Sequence, residues 1–301
     1  MNKFKTMKKE NQLNPIKKNL STLVEDIYQT VTDITDGKQT VPDELLNELG
    51  QKIARTIKTW STPQHHNKFK LRMSNIGRPS RQLYYSQKDT KEIKHHPSTQ
   101  LKFLYGHIME DLLIFLVKLS NHLVTDEQKE VIVDGVLGHM DCKIDGEVID
   151  IKTASGFGFK KFKNKTLAED DPFGYVSQLA GYERAEGTDN GGFLAMNKES
   201  GELALYQPED LDKPNINTLI LNIEGLLKND APPEKCYKPI AAGSKGNKKL
   251  PMGCVYCSHK FKCNEDTNDG KGLRMFKYAK GIEYLTNVSV LPRVEEIHYE
   301  N

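Results

Sequence analysis

No run of apolar residues in this 301-residue chain approaches the ~20 that a membrane-spanning helix needs, which excludes a helical membrane protein. An excess of charge is lacking too: 43 Lys and Arg stand against 41 Asp and Glu, a net charge of +2. No global polyanion-binding surface follows from that balance. The basic opening, Met1 to Asn14, has no apolar centre of the kind a secretory signal carries. No G-x-x-x-x-G-K-[ST] occurs, so a built-in nucleotide-driven motor is excluded. Internal repeats and low-complexity tracts are missing as well. Cysteine is scarce, five residues in all, and four of them crowd into positions 236–263. That is no secreted disulfide framework; it reads as a metal site in a reducing cytoplasm.

What is present suffices for one large domain or two modest ones, with 37% hydrophobic residues for a core. Two segments depart from charge balance: Lys68 to Lys94 holds 8 basic against 2 acidic residues, and Lys235 to Lys280 holds 11 against 3. Both suggest local polyanion-binding surfaces. Residues 1–60 read as a helical N-terminal extension. Leu45, Leu46, Leu49, Ile53, Ile57 and Trp60 recur at helical spacing after the helix start Pro42-Asp43-Glu44, and Leu20 to Ile34 shows a weaker pattern. Residues 61–233 form the expected core, loop-like up to 100 apart from a short helix near Arg81–Tyr85. A buried helix over Thr99–Leu123 follows, with Gly106 inside it. Strands are expected over Glu130–Val136, Leu137–Ile144 and Glu147–Ala154, with Asp145-Gly146 as a two-residue hairpin turn. A helix from Pro172 to Glu186, strands at Gly192–Asn197 and Glu202–Tyr206, and a helix over Ile216–Leu227 complete it. The order predicts a mixed α/β (α+β) fold, a central mixed sheet flanked by helices. Residues 234–301 form a cysteine-rich metal-binding segment and tail.

The hairpin concentrates the chemistry. Asp150 and Lys152, two apart on a strand, share a face. Counting across the Asp145-Gly146 turn brings Asp141 opposite Asp150. An exposed cross-strand ion pair would also account for such a set, but Glu110, set among Ile108, Leu112 and Leu113 on the preceding helix, adds a third acid that needs a partner. Unpaired buried charge is costly, and a divalent cation such as Mg²⁺, which favours a few carboxylates with water and phosphate oxygens, resolves it. Lys152 then holds the attacking water and offsets charge growing on a phosphate. His107 and His139 neighbour these acids and are read chiefly as structural or supporting residues.

Gly106-His107-Ile108-Met109-Glu110, Gly138-His139-Met140-Asp141, Asp150-Ile151-Lys152 and Gln178-Leu179-Ala180-Gly181-Tyr182 occur in this order. The series resembles the PD-(D/E)XK nucleases, in particular their RecB-like exonuclease branch, over about residues 106–182, and to about 265 with the cysteines. Glu110 departs from the His that many relatives carry, and Asp150 stands where Glu is frequent. The resemblance implies a restriction-endonuclease-like core. It implies Glu110, Asp141, Asp150 and the Ile151 carbonyl as ligands of Mg²⁺ or Mn²⁺, Lys152 as the catalytic lysine, and Gln178 and Tyr182 on a helix face bordering the cleft and DNA. The implied reaction is metal-dependent phosphodiester hydrolysis on DNA ends by a phage-type or CRISPR-associated exonuclease in bacterial or phage-infected cytoplasm. A structure-specific endonuclease, or a non-catalytic DNA-binding module stapled by its cysteines, are the alternatives; a homo-oligomer is compatible with either.

Cys254-Val255-Tyr256-Cys257, Cys263 and the earlier Cys236 form a four-thiolate set that suits zinc or a [4Fe–4S] cluster. Some RecB-like nucleases carry such a cluster with its first cysteine upstream of the nuclease motifs. Here Pro79 sits where that ligand would be expected, so Cys236 substitutes; the resemblance leans to iron–sulfur. His259 is a possible replacement ligand, and Cys142 an ordinary core cysteine. DNA contacts are expected from Arg72, Arg78, Arg81, Tyr84 and Tyr85, and from Lys160, Lys161, Lys163 and Lys165 interleaved with Phe157, Phe159 and Phe162.

Overall fold

The two N-terminal helices reverse the burial that their patterns predict. In the computed structural model, which describes residues 18–62, 69–89, 97–279 and 281–298, α1 (Leu23–Thr35) drives Leu23 and Ile27 into the core with Leu20. The more strongly patterned α2 (Asp43–Ser61) buries no side chain completely and leaves Leu46, Ile57 and Trp60 exposed. It lies against α4 (Pro97–Leu119), where Lys118 pairs with Glu48 and Glu127 at 2.5 Å each. Between them, α3 (Ser80–Lys88) occupies the place of the expected short helix. Residues 1–17, and Lys68, Lys94 and Lys280 at the ends of the basic segments, lie outside the described residues.

Only the second half of α4 is buried, through Leu113, Ile114, Val117 and Leu119; Leu101, Phe103 and Tyr105 are exposed, against the expectation of a helix buried throughout. Asn121, at φ 63°, ends it earlier than predicted. β1 (Val124–Thr125) follows. Then two Asp-Gly pairs set the geometry. Asp134 and Gly135, at φ 47° and 78°, join β2 (Lys129–Val133) to β3 (Val136–Met140). Asp145 and Gly146, at 52° and 98°, join β4 (Cys142–Ile144) to β5 (Glu147–Ala154). Two central residues with positive φ make the turn that matches strand twist. The first pair therefore splits the expected strand Glu130–Val136. The expected strand Leu137–Ile144 is split too, at Asp141, because β3 pairs with β2 while β4 pairs with β5.

α5 (Gly156–Lys163) and α6 (Tyr175–Glu186) carry the chain over to β6 (Gly192–Asn197), which runs parallel to β5, and β7 (Leu203–Tyr206) closes the edge. The sheet order is β1-β4-β5-β6-β7, mixed and flanked by helices as the sequence predicts. Alternation sorts its side chains. Val148, Phe193 and Ala195 face α5, α6 and α7 (Ile216–Leu227) through Phe159, Phe162, Leu179, Tyr182 and Ile220. Ile149, Ile151, Leu194 and Met196 face α1 and α4. Each large apolar side chain so buried contributes about 1.5–3 kcal/mol.

Met73 and Ile76, in a stretch that reads as loop, are wholly buried in the first layer. The segment holding them is pinned by the Met73 N–H to the Leu137 carbonyl, 2.9 Å, and by a backbone crossing at Gly77 and Gly174. A Cβ on Gly77 would lie 2.5 Å from the Gly174 Cα. Beyond α7 the chain builds a second antiparallel sheet from β8 (Ile240–Ala241), β9 (Lys248–Lys249), β10 (Arg274–Tyr278), β11 (Gly281–Asn287) and β12 (Glu296–Ile297). Its buried apolar side chains are Leu250, Met275, Phe276 and Leu285. No helix among the described residues is long and apolar enough to cross a membrane.

Gly77→Ala should destabilise the chain by about 1–3 kcal/mol, because backbone rather than a side chain must yield. Gly225→Ala, in α7 with open space around it, should instead stabilise by about 0.5–1 kcal/mol. Urea denaturation of both variants checks this; equal midpoints would contradict the crossing.

Candidate active site

The acids meet where β3 gives way to β4. Cys142 pairs with Ile149, so the next antiparallel step sets Asp141 against Asp150, and the Ile151 N–H donates to Asp141 Oδ2 at 2.6 Å. Asp150 has 0% of its surface exposed. It shares its face with Lys152, whose Nζ stands 2.5 Å from Asp150 Oδ2. That contact is an ion pair poorly aligned for a hydrogen bond, and Oδ1 of the same carboxylate has no hydrogen-bonding partner. Glu110 reaches the site from α4, with Oε1 accepting from Gln128 Nε2 at 2.8 Å and His107 Nδ1 3.9 Å from Oε2.

Burial, and then the charges of Asp150 and Glu110, hold the Asp141 carboxyl well above its ordinary range. The Asp150 carboxyl is raised by burial against the pull of Lys152. Burial opposes the Lys152 charge, but Asp150 and Asp141 outweigh it, and its pKa rises. The lysine is therefore a fixed cation facing two acids that resist ionising together.

Three further residues stand around the acids and the lysine, none singled out by the sequence reading. Tyr175 lies beneath the lysine, its ring centroid 4.7 Å from Nζ, and Phe173 stacks on it at 5.4 Å. Asp171 accepts the N–H groups of Gly174 (2.9 Å) and Val176 (2.8 Å), fixing the start of α6, and its charge is felt at Asp150. The signal existed: Tyr175, Gln178 and Tyr182 recur at helical spacing, and an acid just before a helix is a start signal.

Gln178 and Tyr182 do share a face of α6, turned inward. Gln178 Nε2 donates to the Tyr182 hydroxyl at 2.9 Å, and that hydroxyl donates to the His139 carbonyl at 2.7 Å. With Gln178 8% and Tyr182 1% exposed, the pair is buried and braces β3 beside Asp141. Gly138 makes the brace fit, since a Cβ there would meet Met73 and Tyr182 at 2.7 Å. The His139 side chain is exposed, 3.6 Å from Glu130.

The expected basic and aromatic contacts divide. Arg78 is exposed and its charge reaches Tyr175; Lys160 and Phe157 are exposed. Lys161 is held by Asp170 at 2.5 Å and Lys163 by Glu202. Phe159 and Phe162 are core. The Tyr84 hydroxyl donates to the Asp230 carbonyl at 2.6 Å. Arg81 and Tyr85 turn away from the acids altogether, onto one cavity with Cys236, Cys254, Cys257 and Cys263. Pro79 lines that cavity too. Both ring nitrogens of buried His259 are engaged, Nε2 with Ser86 at 3.0 Å and Nδ1 3.7 Å from Asp89. Burial and the neighbouring thiols push Cys254 up to about 12 and raise Cys257. Cys142 is a buried core residue.

No three His, Cys, Asp or Glu side chains among the described residues converge closely enough to hold a metal ion as they stand. The donor sets nevertheless fit cations chemically. Asp150 Oδ1 is buried with nothing to satisfy it, and Asp141 faces the same space. At the other centre four thiols surround one cavity.

No protein-family model and no curated protein matches the chain. Several solved structures resemble part of it, two of them as follows. The crystal structure of SSO0001 covers 70% of this chain and 91% of its own, at 19% identity and a TM-score of 0.38. The crystal structure of LHK-Exo in complex with dAMP covers 52% and 84%, at 13% identity and a TM-score of 0.32. Likenesses this distant bear on no residue of the site, which stands on its own geometry.

Because the folded Asp141 carboxyl keeps its proton to higher pH than the unfolded one, stability falls as pH rises from the ordinary value of 3.8 through the raised one. Asp141→Asn should therefore stabilise chelator-treated protein at pH 7 by on the order of 1 kcal/mol, with the gain vanishing below pH 4. Thermal melts across that range test it; a destabilised variant at pH 7 would contradict the assignment.

Proposed function

We propose that the chain is a metal-dependent DNA nuclease acting from DNA ends. The observation that carries this reading is the buried, half-unsatisfied Asp150 carboxylate between Asp141 and Lys152, on the central strand β5, with the exposed Arg78 close enough for its charge to be felt at Tyr175. Glu110, Asp141 and Asp150 would hold Mg²⁺ or Mn²⁺, with the Ile151 carbonyl beside them. The ion supplies charge to stabilise the attacking and leaving oxygens of a phosphodiester.

The chain's own residues do the rest. Lys152, held by Asp150 and the Tyr175 ring, keeps its proton, so it orients water and offsets phosphate charge as a cation rather than acting as a base. The Tyr182 brace fixes the Asp141 backbone. Arg78 and Lys160 receive the phosphates on either side. Phe157 at 70% exposure, Phe173 at 45% and Tyr105 at 38%, the last with Lys198 Nζ 4.7 Å from its ring centroid, offer faces on which unpaired bases can stack. A binding module without catalysis gains nothing from two acids that weaken the fold and repel DNA.

At the second centre, Cys236, Cys254, Cys257 and Cys263 hold a structural metal. Four sulfurs on one zinc stand about 3.8 Å apart for bonds near 2.3 Å. These thiols line one cavity, and four thiolates would also complete a cuboidal iron–sulfur cluster, the reading to which the family resemblance leans.

Lys152→Ala should bind linear DNA as the native chain does and lose hydrolysis by about 100-fold or more, on the order of what one preorganised charge-stabilising group supplies. End-labelled linear, single-stranded and covalently closed DNA with Mn²⁺, with and without EDTA, provides the assay. Degradation of the linear forms alone, lost with EDTA and in the variant, is expected. Absence of cleavage by the native chain, or native-like cleavage by the variant, would overturn the reading.

A further inference from the structure

Arg81 is the arginine that the sequence reading gives to DNA and the structure gives to the cysteine cavity. Its guanidinium is tied on two sides: Nη1 donates to the Pro233 carbonyl, three residues before Cys236, and Nη2 to the Tyr85 hydroxyl at 3.2 Å. Its carbon centre lies 5.3 Å from the Tyr85 ring. Its Nε is buried with no hydrogen-bonding partner, and its charge lies against Cys263. A half-buried cation with a buried donor to spare thus stands beside four thiols, and the acid its charge reaches, Asp266, is already paired with Lys235 at 2.6 Å.

Four thiolates around a dication, or around an oxidised four-iron cluster, leave a net charge of about −2. Three of the four cysteines are partly buried, and charge drawn partly out of water gains from a compensating cation. Lys235 and Lys260 also face the thiols. Lys235, however, is held by Asp266 at 2.6 Å, and Lys260 lies over the Phe261 and Tyr284 rings at 5.4 and 5.0 Å. Arg81 comes from a different part of the chain, on α3, which packs against α7.

We propose that Arg81 is the charge-compensating partner of the cysteine centre, supplying a half-buried positive charge and an N–H donor to its thiolate sulfur, and that it does not contact DNA. The proposal rests on the reading of the four cysteines as a metal centre. It makes metal retention depend on a residue of α3, so that the centre and the docking of the C-terminal segment on the body form together. Outer partners of this kind typically govern metal affinity by 10–100-fold.

The full chain, purified anaerobically, is compared with Arg81→Gln, Arg81→Lys and Tyr85→Phe. Bound metal is followed by elemental analysis and by its rate of loss to a chelator, with circular dichroism recording the fold. Arg81→Gln should lose metal 10–100-fold faster, Arg81→Lys only a few-fold faster, and Tyr85→Phe at nearly the native rate; DNA affinity of the metal-loaded forms should be unchanged. If the centre is iron–sulfur, Arg81→Gln should also lower its reduction potential, since a nearby cation favours the added electron. Native protein without cysteine-bound metal overturns the centre and the proposal with it. Native protein that holds metal, with Arg81→Gln holding it equally well, overturns the proposal alone. Equal loss from the Gln and Lys variants shows that charge is not the reason and also overturns it. Should Arg81→Gln fail to fold, the comparison of Arg81→Lys with Tyr85→Phe still decides.

Discussion

Everything near the site depends on holding the Asp150 carboxyl in a place without water. A lone carboxylate moved into such surroundings costs several kcal/mol, and the fold offsets that with one ammonium 2.5 Å away on the same strand face. The offset is incomplete: one oxygen stays unpartnered, and the facing Asp141 resists ionisation. A domain selected for stability alone would replace these acids with apolar side chains. Their presence inside a well-packed sheet is what the proposed cation site accounts for, the unsatisfied charge being the useful part.

Around that centre the chain builds rigidity from close backbone contacts. Gly77 against Gly174 and Gly138 against Met73 and Tyr182 leave no room for a Cβ. The hydrogen-bond chain from Gln178 through Tyr182 to the His139 carbonyl then locks the strand end that carries Asp141. The segment from Phe69 to Asp89 joins the two centres physically. Gly77 and Arg78 stand by Tyr175 and the lysine, and a few residues on, Pro79, Arg81 and Tyr85 line the cysteine cavity.

Much of the acid site was legible because β geometry is arithmetic. Once Asp145-Gly146 is read as a two-residue turn, counting outward places Asp141 opposite Asp150, and the two-residue period puts Lys152 beside Asp150. Which way helical side chains turn was not legible. Arg81 and Tyr85 share a face of α3 at i and i+4, but nothing local says that this face meets cysteines some 150 to 180 positions later. Phe157 and Phe159 look alike in sequence, and packing on the sheet alone exposes one and buries the other. The burial of Met73 and Ile76 escaped notice because two isolated apolar residues in a basic stretch have no period. The second sheet escaped because its strands are short, polar outside, and share a core of few residues.

The central claim is that the three acids exist to hold a divalent cation. Calorimetric titration of chelator-treated protein with Mn²⁺ tests it most directly, on the native chain and on Asp141→Ala, Asp150→Ala and Lys152→Ala. Saturable binding in the native chain, lost in both aspartate variants and retained when the lysine is removed, is the predicted result. Binding that survives unchanged in both Asp141→Ala and Asp150→Ala would contradict it.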